Sequence, residues 1–229
     1  MFFFDPTIVI LIPGLIVALW AQILVQTAYS RYSRVRSSLG YTGYDVAKRL
    51  LENAGLYNVG IEVVSGTLTD HYDPIKKVVR ISAANYRNNS IAALGVVAHE
   101  VGHALQDAER YPLLVLRSAI GPAVAIGSNL AWIIFVLGLV FFTPFLVRLG
   151  ILLFSLVVLF TLITLPVELN ASSRAMKLLK NYLLMPEEEL KGVKEVLRAA
   201  ALTYVASVLT AVLQLLRMIF IANMYSDRR

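Results

Sequence analysis

Long apolar runs separated by polar intervals set the pattern of this chain. The first run, Thr7 to about Leu24, carries no charge and is long enough to cross a hydrocarbon core as a helix. Two more, from about Ser118 to Phe142 and from about Leu149 to Leu165, flank Thr143-Pro144 and Arg148 and predict a helical hairpin in a membrane. The last, about Ala199 to Ala222, carries Thr203, Ser207, Thr210, Gln214 and Arg217 at spacings of four, three, four and three, which draws one polar stripe along a helix. Such a stripe either packs into the bundle, where it lines a cavity, or lies flat at the interface. The length of the run and its apolar remainder favour the bundle.

The polar intervals carry other periods. Thr42-Gly-Tyr-Asp45 reads as a capping box, and Val46, Leu50, Leu51 and Ala54 follow as one apolar face that stops near Gly55. Ile61 to Ser65 and Lys77 to Ser82 are β-branched and bounded by Gly66 and Pro74, which predicts two strands with Thr69-Asp-His-Tyr-Asp-Pro74 as the turn between them. A helix capped by Asn89 or Ser90 is expected from Ile91 to about Asp107, and Ala92, Ala93, Val96, Val97 and Ala104 make it apolar on more than one side. Gly102 costs that helix about 1 kcal/mol relative to alanine, so another backbone or a substrate is expected to pass close there. After the third run, Leu165-Pro-Val-Glu-Leu-Asn-Ala-Ser-Ser-Arg174 places Glu168 near the end of an apolar helix. Pro186 and Glu187 to Glu189 then open a further helix that ends among Lys191, Lys194 and Arg198.

The expected organisation is a mostly α membrane protein with about four transmembrane helices and a small α+β domain. Residues 1–29 are read as an anchor, 30–117 as a water-exposed segment with a small sheet, 118–166 as the hairpin, 167–198 as further water-exposed helices and 199–229 as a final transmembrane helix with a short tail. Composition agrees: at 229 residues, 58% are hydrophobic and the mean hydropathy is +0.68, too apolar for an ordinary soluble protein. No Lys or Arg precedes Arg31, so the opening Met1-Phe-Phe-Phe-Asp5 lacks the basic region of a cleaved signal peptide and the first run reads as a permanent anchor. A net charge of +6 without a basic cluster interleaved with aromatics argues against nucleic acid as a partner. Of the 21 Lys and Arg residues, seventeen fall in 31–117 and 168–198, which places those intervals on the cytoplasmic side of a multi-pass plasma-membrane protein, with Arg228 and Arg229 running against the trend.

The densest chemistry lies in Ala98-His-Glu-Val-Gly-His103. Histidines four apart on a helix offer two imidazoles to one metal ion, and Glu100, about 100° round the helix, reaches the water held as a further ligand. The bland alternative, a buried helix with two satisfied histidines, leaves three ionisable groups needing partners that a metal supplies together. A hydrolytic zinc site usually keeps three protein ligands and an open position; without cysteine, the third must be His71, the remaining histidine, or a carboxylate. Glu168 is the favoured carboxylate, because its charge at a membrane boundary needs a cation; an ion pair with Arg174 would also meet that need.

His-Glu-Val-Gly-His-Ala-Leu-Gln106, Leu68-Thr-Asp-His-Tyr-Asp-Pro74 and Leu165-Pro-Val-Glu-Leu-Asn-Ala-Ser172 in this order resemble the YugP-type membrane zinc metallopeptidases, and more distantly the HtpX-type and other gluzincin proteases. The resemblance implies a gluzincin-like domain in which His99, His103 and Glu168 bind one zinc ion and Glu100 is the general base of peptide hydrolysis. It also implies a substrate lying extended along an edge strand, for which Val78 to Ser82 is the candidate. Many gluzincins carry an Asp four residues beyond the ligand Glu; here Ser172 stands there, which leaves open what orients the imidazole. His71, Tyr72 and Tyr204 are candidates by chemistry for oxyanion stabilisation or substrate positioning. A peptide or a membrane protein is the expected substrate, and lipid the expected surroundings. The rival readings are a non-catalytic membrane scaffold and a transporter-like module with a structural metal site.

Overall fold

The computed structural model describes residues 6–226, so the opening Met1 to Asp5 and the basic pair Arg228 and Arg229 lie outside the described residues. The chain divides into two compact units. One comprises Met1–Gln22, Leu116–Pro166 and Leu202–Arg229; the other comprises Ile23–Val115 and Val167–Ala201.

In the second unit the capping box forms as expected. Helix α2 (Gly43–Asn53) follows Thr42, whose Oγ1 accepts from the Asp45 N–H while the Asp45 carboxylate accepts from the Thr42 N–H. Hydrogen bonds from Thr42 hold the Asp45 carboxyl below its ordinary range. The face of Val46, Leu50 and Leu51 is buried, and Gly55 takes the positive φ, +72°, that ends the run.

The sheet differs from expectation in two ways. Strands β1 (Gly60–Val64) and β3 (Val78–Ser82) pair in parallel, but the stretch read as a turn contributes a third strand, β2 (His71–Asp73), antiparallel to β3. Strand β2 is polar and three residues long, so its pairing with β3 makes it a strand where its own pattern does not. The order is β1-β3-β2, which makes β3 central: both its edges are taken, and it cannot be the edge that receives a substrate. A real turn follows β2, where Asp73 Oδ1 accepts from the N–H groups of Ile75 and Lys76.

Helix α4 (Ile91–Ala108) starts at Ser90, whose Oγ accepts from the Ala93 N–H, and most of its residues are buried. The short helix α3 (Ala83–Tyr86) leads into it. Val79, Ile81, Leu94, Val97 and Val101 form a fully buried core with Leu50 and Leu179. Gly102 meets the close neighbour its cost implied: a Cβ there would stand 2.6 Å from the Ala171 carbonyl oxygen.

Four helices among the described residues are long and apolar enough to cross a membrane. They are α1 (Ile12–Tyr32) with the 3-10 turn before it (Pro6–Leu11), α5 (Pro112–Val140), α6 (Pro144–Asn181) and α7 (Glu187–Ser226). The divisions expected after residues 29, 117, 166 and 198 all fall inside these helices. Helix α5 opens at Pro112, suited to a first helical position, and Arg117 does not interrupt it. Helix α6 runs through Pro166, and α7 joins two segments expected to be separate, because Ala199-Ala200-Ala201 continues a helix without a breaker. A change from polar to apolar surface marks a change of surroundings and leaves the backbone hydrogen bonds intact.

In the first unit, Gly14 of α1 lets Thr210 and Leu213 of α7 approach, and Gly138 and Gly150 let the α5 and α6 hairpin close on Val147 and Phe135. The polar stripe of α7 faces α1: Arg217 Nε donates to Thr7 Oγ1 at 3.0 Å, and its guanidinium lies 5.6 Å from the Trp132 ring centre.

Candidate metal centre

Helix α4 presents His99 and His103 one turn apart, with ring centres 4.7 Å apart and planes at 87°. Helix α6 brings in Glu168 just past Pro166. Glu168 Oε2 lies 3.2 Å from His99 Nε2 and 3.5 Å from His103 Nε2, and the three ligand atoms all fall within 4.8 Å of one another. Donors held about 2.0–2.1 Å from a shared tetrahedral zinc ion stand roughly 3.3 Å apart, so this spacing fits such an ion.

The far side of each ring is tied down. His99 Nδ1 is 3.2 Å from Ser172 Oγ, and His103 Nδ1 is 3.0 Å from Gln106 Oε1. Gln106 is fully buried, and its Nε2 donates to the Val167 carbonyl and to Asn170 Oδ1, both at 2.9 Å. A carbonyl only accepts, so the amide nitrogen must face Val167 and the amide oxygen must face the imidazole. His103 therefore carries its proton on Nδ1 and turns the Nε2 lone pair toward Glu168 and His99. The chain of contacts continues from Asn170 Oδ1 to Arg174 Nε at 2.7 Å and from Arg174 Nη2 to Glu109 at 2.7 Å. The Arg174 guanidinium beside Glu109 holds that carboxyl below its usual range. Gln106 and Arg174 thus link the helix that bears the imidazoles to the one that bears the carboxylate.

Electrostatics invite a cation. Burial pushes the His103 imidazole down, but the carboxylates of Glu168 and Glu100 outweigh it and raise the ring above its ordinary value. Glu100 is itself buried, at 8% exposure, with no hydrogen bond or ion pair to another described residue. A metal ion meets the demand of these groups without a proton on either ring.

The other expected residues lie elsewhere. His71 is exposed on β2, with Nδ1 2.9 Å from the Thr69 carbonyl and Nε2 3.4 Å from Arg80 Nη1, and takes no part in the ligand group. The Tyr72 hydroxyl donates to Asp107 Oδ2 at 2.6 Å, and burial with that contact pushes its pKa far up. Lys77 pairs with the same carboxylate, so Asp107 ties the sheet to α4. Tyr204 lies on α7 in the other unit. Gln106 had no assigned role in the sequence, although a Gln three residues past the second histidine shares its helix face.

A small sheet, a helix carrying paired histidines and a carboxylate from an apolar helix make up a group that could hold one metal ion. The chain belongs to the family described as "Putative neutral zinc metallopeptidase", which it matches over residues 7–223. It is 48% identical over 210 residues to the "Putative membrane protease YugP" of Bacillus subtilis (strain 168), a match covering 92% of this chain and 93% of that protein. No solved structure matches it significantly. It is a mostly α membrane protein with a small α+β domain.

Proposed function

We propose that this protein is an integral membrane zinc endopeptidase, with Glu100 as its general base and His99, His103 and Glu168 as the ligands of one zinc ion. The observation that carries this reading is the convergence of two imidazole Nε2 atoms and one carboxylate oxygen beside a buried, unpaired Glu100. When bound, zinc supplies Lewis acidity, which polarises a peptide carbonyl and lowers the pKa of water toward neutrality. Glu100 takes a proton from the attacking water and later passes it to the leaving amine. A scaffold or a structural metal site has no use for such a carboxylate. Gln106 holds His103 in the tautomer that leaves Nε2 free, and Ser172 Oγ lies against the far nitrogen of His99.

The distribution of Lys and Arg supports a multi-pass arrangement in the plasma membrane with this site on the cytoplasmic side. Strand β2 packs against α4, and its outer edge is unpaired in the three-stranded sheet, so it replaces β3 as the edge along which an extended peptide pairs. The substrate is a peptide or a membrane protein.

The test uses the full-length purified protein, with zinc content and peptide cleavage measured together. Glu100→Gln is expected to keep zinc and lower cleavage by at least about a hundredfold, within the range general-base catalysis contributes. Glu168→Ala is expected to lose the metal. Equal cleavage by wild type and Glu100→Gln would end this reading.

A further inference from the structure

Two side chains of the sheet unit stand out further than any that the candidate spans turn outward. Ile75 is 91% exposed and Tyr57 81%, against 70% for Phe145, the most exposed large apolar residue described in α1, α5, α6 and α7. Single exposed apolar residues are ordinary, but these two share one end of the sheet. Strands β1 and β3 begin side by side, where the Gly60 N–H donates to the Lys77 carbonyl at 2.9 Å. Tyr57 lies in the turn just before β1, and Ile75 in the turn just before β3.

That end of the sheet is fixed beside the place where the chain enters lipid. Helix α4 runs antiparallel to the part of α6 beyond Pro166: His99 meets Ser172, Gly102 lies against Ala171 and Gln106 bonds to Val167. As it proceeds, α4 therefore heads back toward the apolar part of α6. It ends at Ala108, and Pro112 opens α5, a span of mean hydropathy 2.2. Asp107, in the last turn of α4, pairs with Lys77 and accepts from the Tyr72 hydroxyl, which ties the Ile75 turn to this membrane entry.

Around the Ile75 turn and the end of α4 the free charge is positive. Asp73, Asp107 and Glu109 are each paired with a base, whereas the exposed Lys76 and Arg110 make no ion pair with a described residue. The Tyr57 hydroxyl also bonds to no described residue. A tyrosine with a wet hydroxyl and an isoleucine set among bases suit the boundary between headgroups and acyl chains, which takes the apolar part inward and leaves the polar tips in water.

We infer that this end of the sheet docks on the headgroup layer of the protein's own bilayer, with Ile75 and Tyr57 entering it and Lys76 and Arg110 meeting anionic headgroups. Lipid is the occupant because α5 holds a lipid surface within a few residues of Asp107 in every folded molecule, so that no encounter is needed. The contact needs no catalysis; its bearing on the protease reading is that β2, which ends at Asp73 beside the same turn, is held with its free edge at headgroup level.

The chain has no cysteine, so single cysteines can carry a label. Full-length Ile75→Cys, Tyr57→Cys and Leu184→Cys, each bearing an environment-sensitive fluorophore, are placed in nanodiscs of phosphatidylcholine and phosphatidylglycerol whose lipids carry a nitroxide just below the headgroup. Leu184 is the control: it is 78% exposed but follows the far end of α6, roughly 21 Å along that helix from Val167 at 1.5 Å per residue. The labels at 75 and 57 are expected to be blue-shifted and quenched, and the label at 184 to be neither. Lys76→Gln and Arg110→Gln should each lower the ratio of quenched to unquenched label at position 75 about fivefold in these discs, and much less in phosphatidylcholine alone. All of these side chains are exposed, so the changes leave the core untouched, and two labelled positions decide the matter if one variant does not fold. Quenching at 75 and 57 no stronger than at 184 would overturn the proposal. Quenching indifferent to anionic lipid and to both bases would overturn the roles of Lys76 and Arg110. Labels that an added peptide shields but lipid does not quench would overturn the proposal in favour of a peptide site.

Discussion

The two units handle polar groups in opposite ways. Around the metal centre, a buried amide such as Gln106 is bonded at both ends, and one contact leads to the next from His103 through Asn170 and Arg174 to Glu109. In the helical unit, glycines and hydroxyls that bond back to their own helix carry most of the packing, with Arg217 to Thr7 as a hydrogen bond between helices. Hydrogen bonds closed in advance mark a scaffold set before its ligand arrives, whereas a buried carboxylate left open marks a group kept for chemistry. Glu100 is that carboxylate beside the metal centre, and it is the group assigned to the chemistry.

The strongest challenge to this contrast is to break the closed chain. Gln106→Ala should weaken zinc binding about 10- to 100-fold and, by stranding buried polar groups, destabilise the fold by about 1–3 kcal/mol, read by chelator competition and thermal melting. A normal zinc affinity would mean that Gln106 only fills space. Gly102→Ala should cost about 1–3 kcal/mol, since its new methyl meets the Ala171 carbonyl, and zinc affinity should fall with stability. The matching change in the other unit, Gly127→Ala, has open space around it and should stabilise by about 0.5–1 kcal/mol through helix propensity. If both alanines behave alike, close backbone approach does not distinguish these positions. The smallest effect concerns pH. Because the folded Asp45 has a lowered pKa, its contribution is present above the unfolded value and is lost as pH falls through the folded one. Asp45→Asn should flatten stability over that acidic window, measured as Tm against pH, without altering the metal centre at neutral pH.

Local signals made part of this protein legible. Thr42 with Asp45 and Ser90 with Ile91 announce helix starts through side chains a few residues apart, and His99 and His103 share a face by helical geometry alone. Glu168 stood out because a carboxylate in an apolar run needs a cation. What failed were inferences that needed a partner from far along the chain. Strand β2 exists through β3, and Gln106 acquires its role only once Val167 and Asn170 are beside it. The helix expected to end near Arg198 instead continues into the last apolar run, because solvent preference and backbone continuity are separate properties.

Gly102 carries one more implication. Where α4 and α6 meet there, bare backbone faces bare backbone, and no rotamer can widen or narrow the gap. The bite of the ligand set is therefore built into the main chain, and a cation of much larger radius, such as calcium, would have to pry two helices apart to settle among these donors.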